Sequence, residues 1–259
     1  MLVGAAALAA LAQGAQAQDQ LRPDQVRFRD TYRELVETNT SLSVGSCTEA
    51  AAKMGARLKA AGFADADITY YSVPEHPKDG GLVAILPGTS KTAKPILLLG
   101  HLDVVEAKRA DWVRDPFKLT EENGVFYGRG TSDMKAIDAT WVDAMVRFKE
   151  SHYAPKRTVK LALTCGEETI NAFNGAQWLA QNRRQLIDAE FALNEGGGGR
   201  IDANGKVLSQ GVQVGEKVVQ QFRLETTNPG GHSSIPIKDN AIYQLAAALL
   251  KVRDYEFPL

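Results

Sequence analysis

The chain holds 259 residues, with Lys+Arg 30 against Asp+Glu 31 and a formal net charge of -1. That length can bury a large core in one domain or two. The balanced charge argues against a nucleic-acid-binding surface, and after the N-terminus no apolar run approaches the roughly eighteen residues of a bilayer span. Leu2 to Ala17 are nearly all Ala, Leu, Val, Gly and Gln and end in Ala15-Gln16-Ala17, a small-x-small cleavage pattern. Positions 1–17 therefore read as a signal peptide lacking its basic n-region. The mature protein reads as exported, periplasmic or secreted, with no membrane association once the signal is removed. Cys47 and Cys165 form neither a disulfide framework nor a C-x-x-C site, and Cys165, at a strand end, reads as a buried thiol.

Asp24 to Glu37 is periodic in apolar residues and predicts a helix; a second runs from Thr48 to Ala61, stopped by Gly62, with Ala51, Met54 and Leu58 on one stripe. Asp67 to Val73 and Gly81 to Leu86 predict strands, with Gly80-Gly81 and Pro87-Gly88 as turns, and His76 lies in a polar surface turn. Pro95 to Asp103, P-I-L-L-L-G-H-L-D, predicts a strand buried on both faces that delivers His101 and Asp103 at its carboxyl end, where open α/β sheets place their chemistry. Asp111 to Leu119 anchors a loop. Asp133 opens a helix whose stripe is Met134, Ile137, Trp141, Met145 and Phe148. Thr158 to Thr164 predicts a strand ending in Cys165-Gly166-Glu167-Glu168, and a helix around Ala172 to Asn182 leads to a strand from Ala189 to Glu195. Strands alternating with helices argue for a three-layer α/β domain. The Gly196–Gly199 run lacks the companions of a phosphate loop.

The texture changes near Gly211. Lys217 to Thr226 alternates with period two and predicts a strand with one wet face; Asn228 to Ser234 is a turn, and Asp239 to Arg253 a helix with Ile242, Leu245, Leu249 and Val252 inward. This is the beginning of a second domain.

His101, Asp103, Asp133, Glu167, Glu168 and Glu195 all stand at strand or helix ends. One imidazole and several converging carboxylates repel unless cations neutralise them. Nitrogen and oxygen donors without thiolate suit zinc, cobalt or manganese better than copper(I) or an iron–sulfur cluster. Two such ions with a bridging water and a neighbouring carboxylate as proton acceptor constitute a hydrolytic centre. Singly these signals are weak: an H-x-D pair or adjacent glutamates are commonly structural, and Asp133 has an alternative as a plain helix cap.

In combination, G-H-L-D at 100–103, G-R-G-T-S-D-M-K at 128–135, G-E-E at 166–168, N-E-G at 194–196 and G-G-H-S-S at 230–234 resemble the M20 metallopeptidases. That family includes carboxypeptidases, dipeptidases, N-acyl-amino-acid amidohydrolases and succinyl-diaminopimelate desuccinylase. The resemblance implies a zinc-exopeptidase-like catalytic domain over 18–210 and an inserted α+β dimerisation (lid) domain over 211–259, partly present. It implies two Zn2+, with Co2+ or Mn2+ as substitutes. His101 and Glu195 would bind one ion, Glu168 the other, and Asp133 would bridge them across an expected cis Asp133–Met134 bond. Asp103 would orient His101, Glu167 would be the general base, and His232 would reach a partner's site in a homodimer to stabilise the oxyanion. The family's second metal-binding histidine has no counterpart here, so the chain is expected to be a C-terminally truncated fragment of low activity. The implied substrate is a small peptide, cleaved by a carboxypeptidase or dipeptidase; an N-acyl-amino-acid amidohydrolase and a noncatalytic protein retaining the fold are the alternatives.

Overall fold

The computed structural model describes residues 21–170, 172–212, 214–215 and 220–257. The expected signal segment at 1–17 lies outside these residues. The chain divides into two compact units, one ending at Gly196 and one beginning at Gly197.

In the first unit, α1 (Pro23–Glu37) starts with proline in its first turn, where the missing N–H costs nothing, and Arg22 N donates to Gln25 Oε1 at 3.0 Å. Helix α2 (Cys47–Ala60) is capped by Ser46, whose Oγ accepts from Glu49 N at 3.1 Å, and it stops before Gly62 at φ 98°. Strands β1 (Ile68–Val73), β2 (His76–Leu86) and β3 (Ile96–His101) follow, then a hairpin of β4 (Thr120–Glu122) and β5 (Val125–Tyr127). Its turn, Asn123-Gly124, has both φ positive, as a two-residue hairpin turn of the primed kind requires. Then come α3 (Lys135–Glu150), β6 (Val159–Thr164), α4 (Gly175–Asn182), α5 (Arg184–Ile187) and β7 (Phe191–Leu193).

The main sheet has the order β1-β2-β6-β3-β7. The β1/β2 and β2/β6 pairs are antiparallel, and β3 runs parallel to both β6 and β7. Alternation across the pleat gives each face its own core. Leu82, Ala84, Leu98, Leu161 and Leu163 pack against α1, α2 and α3, whereas Val83, Leu97 and Ala162 face Leu179, Trp178 and Ile187 of α4 and α5. Helices on both faces of one sheet make the three-layer α/β architecture, and each fully buried Leu contributes about 1.5–3 kcal/mol. No helix among the described residues is long and apolar enough to cross a membrane.

Five expectations need correction. His76, expected in a turn, is exposed as expected but is the first residue of β2, paired with Val73. Gly80 and Gly81 are not a turn but lie inside β2, because a Cβ at Gly81 would stand 2.2 Å from Leu163 O and one at Gly80 2.4 Å from Tyr71 O. The buried face of α3 is rotated from the expected stripe: Lys135, Asp138, Ala139, Val142, Met145 and Val146 are buried, while Ile137, Trp141 and Phe148 are half-buried. Helix α4 begins at Gly175 rather than near Ala172, because Asn174 Oδ1 accepts from Gln177 N at 2.9 Å and sets the start there. Cys165 is not a free thiol; it is bonded to Cys47, their Cα atoms 6.0 Å apart. The packing of α2 over the sheet brings together two cysteines 118 residues apart in sequence, a proximity that no local pattern encodes.

In the second unit, β8 (Gly199–Ile201) and β9 (Val207–Gln210) form a hairpin, and α6 (Ala241–Arg253) is capped by Asn240, whose Oδ1 accepts from the N–H groups of Ile242 and Tyr243. Of the strand expected at 217–226, residues 217–219 lie outside the described set and 220–226 pair with no strand among the described residues. An alternating segment becomes a strand only where a neighbour completes its ladder. Likewise, Ile242, Leu249 and Val252 are exposed rather than inward, and no described residue of α6 is buried.

Candidate metal centre

Strand β3 carries His101 to the end of the sheet, level with Thr164 on β6. Thr164 is the last paired residue of β6, and its carbonyl accepts from Leu102 N at 2.7 Å, which holds the chain in place as it leaves for Asp103. Asp133 arrives from the loop before α3; the Asp133–Met134 bond is cis, and Met134 Sδ accepts from His101 N at 3.2 Å. Glu167 and Glu168 follow β6 through Gly166, and Glu195 follows β7. Four separate connections thus converge on one sheet end.

His101 is 3% exposed. Its Nδ1 is 3.0 Å from the main-chain oxygen of Asp103, to which it donates, and this turns Nε2 outward. Around Nε2 stand Asp133 Oδ1 at 3.2 Å, Glu195 Oε1 at 3.3 Å and Glu167 Oε2 at 3.9 Å. The Asp103 carboxylate is buried too, but Oδ1 lies 3.7 Å from Nδ1 and Oδ2 accepts instead from Glu168 N at 3.0 Å. Asp103 therefore holds His101 through its backbone and the Glu167–Glu168 segment through its side chain. Two ligand-like groups share the imidazole: His101, Asp133 and Glu168, and His101, Glu167 and Glu195, the ligand atoms of each group lying within 4.8 Å of one another.

The electrostatics point to a positive charge at this place. Burial pushes the His101 pKa down, but the charges of Asp103, Glu195 and Asp138 and the Asp103 carbonyl outweigh it and raise it above the ordinary value. Burial first, then the neighbouring Asp133 charge, raises the Glu168 carboxyl. Burial, with Asp133 and Glu167 beside it, raises Glu195. A cation among these groups relieves repulsions that only protons otherwise relieve. The donor set is one imidazole and carboxylates without thiolate, since the cysteines are bonded to each other, and it fits zinc, cobalt or manganese.

Sequence reasoning singled out neither Lys135 nor Asp138. Lys135 is fully buried, its Nζ donates to Thr38 O at 2.8 Å, and burial pushes its pKa down to about 7. Asp138 is fully buried, neither carboxyl oxygen has a hydrogen-bond partner among the described residues, and burial raises its pKa well above the ordinary value. Its Oδ1 occupies the space a Cβ at Gly100 would need, 2.0 Å away. The available signal was charge at i and i+3 of a core helix. His232 lies in the second unit, exposed, with Nδ1 2.7 Å from Ser234 Oγ.

The sequence profile of Peptidase family M20/M25/M40 matches residues 97–256. The chain is 34% identical over 167 residues to an uncharacterized carboxypeptidase of Schizosaccharomyces pombe, covering 62% of this chain and 28% of that one. It is 32% identical over 185 residues to aminoacylase-1 of Sus scrofa, covering 68% and 44%. The M20 family metallo-carboxypeptidase Sso-CP2 of Sulfolobus solfataricus shares the fold, with a TM-score of 0.56 at 23% identity over 71% of this chain and 39% of that one. The chain spans less than half the length of each of these relatives.

Proposed function

Because the chain belongs to peptidase family M20/M25/M40, we propose that it carries the metal centre of a hydrolase that cleaves peptide or amide bonds of small peptides, as a carboxypeptidase or dipeptidase. The observation that carries this reading is the buried His101 with its Nε2 turned into a ring of carboxylates. His101 and Glu195 would hold one Zn2+, Glu168 the other, and Asp133 both. Such ions, when bound, polarise the scissile carbonyl and acidify water.

Glu167 is the general base of the proposal. Its side chain is 55% exposed, beside the cleft that it lines with Leu99, His101 and Glu195. From there its carboxylate takes a proton from the attacking water and returns it to the leaving nitrogen. Asp103 keeps His101 in the tautomer that presents Nε2. The segment from 211 is read as the start of a lid domain through which the protein dimerises, with His232 as the oxyanion donor. Export is supported by the Ala-rich leader and by the Cys47–Cys165 disulfide, since such bonds persist in oxidising compartments.

Product analysis tests the reading on chelator-stripped and zinc-restored protein. Free amino acids released from unblocked dipeptides, and abolished both by chelation and by Glu167→Gln with metal content preserved, support it. Acid release from N-acyl amino acids alone establishes the amidohydrolase alternative instead. Zinc binding without turnover of either substrate favours the noncatalytic alternative, and turnover indifferent to chelation contradicts the reading.

A further inference from the structure

The disulfide sits where the metal-binding segment takes root. Cys165 is the residue after the last paired position of β6, and the two residues beyond Gly166 are Glu167 and Glu168. Gly166 has φ 89°, so the strand direction is lost at once, and its carbonyl accepts from Asn174 Nδ2 at 3.1 Å. Cys47, by contrast, opens α2, a helix held rigidly by Ala50, Ala51, Met54 and Leu58, all essentially inaccessible to solvent. Both cysteines are buried as well. Among the described residues the other attachments of the segment are hydrogen bonds. Glu168 N donates to Asp103 Oδ2 and Gly175 N to Cys165 O, but among the described residues neither Glu167 nor Glu168 is paired with a lysine or arginine. Beyond the His101 imidazole, 3.9 Å from Glu167 Oε2, no cationic side chain among the described residues fixes the carboxylate tips, so the placement of the segment depends on its backbone root.

We propose that the Cys47–Cys165 disulfide is a positioning clamp that fixes the Glu167–Glu168 segment to α2, so that the affinity of the centre for divalent metal depends on the oxidation state of these cysteines. The inference rests on the metal-centre reading above. Opening the clamp takes two electrons and two protons from an added dithiol, which leaves as its own disulfide, and yields two thiols. Those thiols lie close to the Asp103 carboxylate, so the probe must be a metal that thiols bind poorly; Mn2+ meets that need.

Mn2+ binding is measured by electron paramagnetic resonance, well below the unfolding midpoint, on the oxidised chain, on the same chain reduced and then reoxidised, and on Cys47→Ala/Cys165→Ala. Hydrogen exchange is followed in parallel. The clamp predicts Mn2+ affinity about tenfold or more weaker in the reduced and alanine forms, the size seen when supports of metal ligands are removed. It also predicts recovery on reoxidation and faster exchange at 166–169, with β6 amides unchanged. The reduced chain supplies the comparison should the double variant fail to fold. A lower melting midpoint with unchanged Mn2+ affinity and unchanged exchange at 166–169 makes the bond a general staple and overturns the proposal. An oxidised chain that binds no Mn2+ instead overturns the metal-centre reading, and the clamp with it.

Discussion

Removing the Asp103 side chain separates the two tasks that the structure gives this residue. In Asp103→Ala the main-chain oxygen that accepts from His101 Nδ1 at 3.0 Å remains, so the imidazole keeps its tautomer. What disappears is the carboxylate that accepts from Glu168 N at 3.0 Å, in a place only 5% exposed. A hydrogen bond to a charged group in such a site is worth about 1.5–3 kcal/mol, and losing an outer support of a metal ligand weakens binding about 10–100-fold, or about 1.4–2.7 kcal/mol. The loss is expected to fall on the cation assigned to Glu168 in the proposal. Asp103→Asn, which keeps an acceptor for the same N–H without the charge, lies between. Calorimetric titration of chelator-stripped protein with Zn2+ reads both variants. Affinity in Asp103→Ala equal to that of the wild type, with fold intact, refutes the assignment of this carboxylate to the Glu168 segment.

Gly166→Ala places a Cβ 1.7 Å from the carbonyl oxygen of Phe173 at a residue with φ 89°. Because that obstacle is backbone, the variant is expected to lose at least about 2 kcal/mol of stability in urea unfolding, together with Zn2+ affinity. Lys135 supplies a pH test on chelated protein. Its folded pKa of about 7 lies below the unfolded 10.5, so the unfolded chain holds more protons between these values. The resulting penalty is absent above pH 10.5, grows as pH falls through the window, and levels off below 7. The stability of Lys135→Met relative to wild type should therefore improve by ~3 kcal/mol from pH 9.5 to 6. Asp138 is coupled to Lys135, so the same comparison is repeated in the Asp138→Asn background, where the sign is expected to hold. Parallel pH profiles contradict the lowered pKa of Lys135.

The alternation of apolar strands with periodic helices was readable because burial imposes periods of 2 and 3.6 on the sequence, and α1, α2, β3 and β6 fall within a residue or two of their predicted ends. The glycines of β2 misled because glycine marks both turns and close strand contacts, and only the neighbours Leu163 and Tyr71 distinguish the two. The orientation of α3 was misread because Lys135 and Asp138 occupy buried positions that apolar counting assigns to solvent. The polar residues at strand ends were legible as a group, and the structure brings His101, Asp103, Asp133, Glu167, Glu168 and Glu195 together at one end of the sheet. Their division of labour was not legible: nothing in H-x-D says that the backbone of Asp103 serves the histidine and its side chain the next loop. The Cys47–Cys165 bond likewise depends on how α2 lies over the sheet.

X-ray absorption at the zinc edge of zinc-loaded protein reads the donor set around His101. A centre built on His101 and carboxylates shows nitrogen and oxygen neighbours at about 2.0–2.2 Å, no sulfur, and loss of bound zinc in His101→Ala. A sulfur shell at about 2.3 Å, or zinc retained undiminished in His101→Ala, would contradict it.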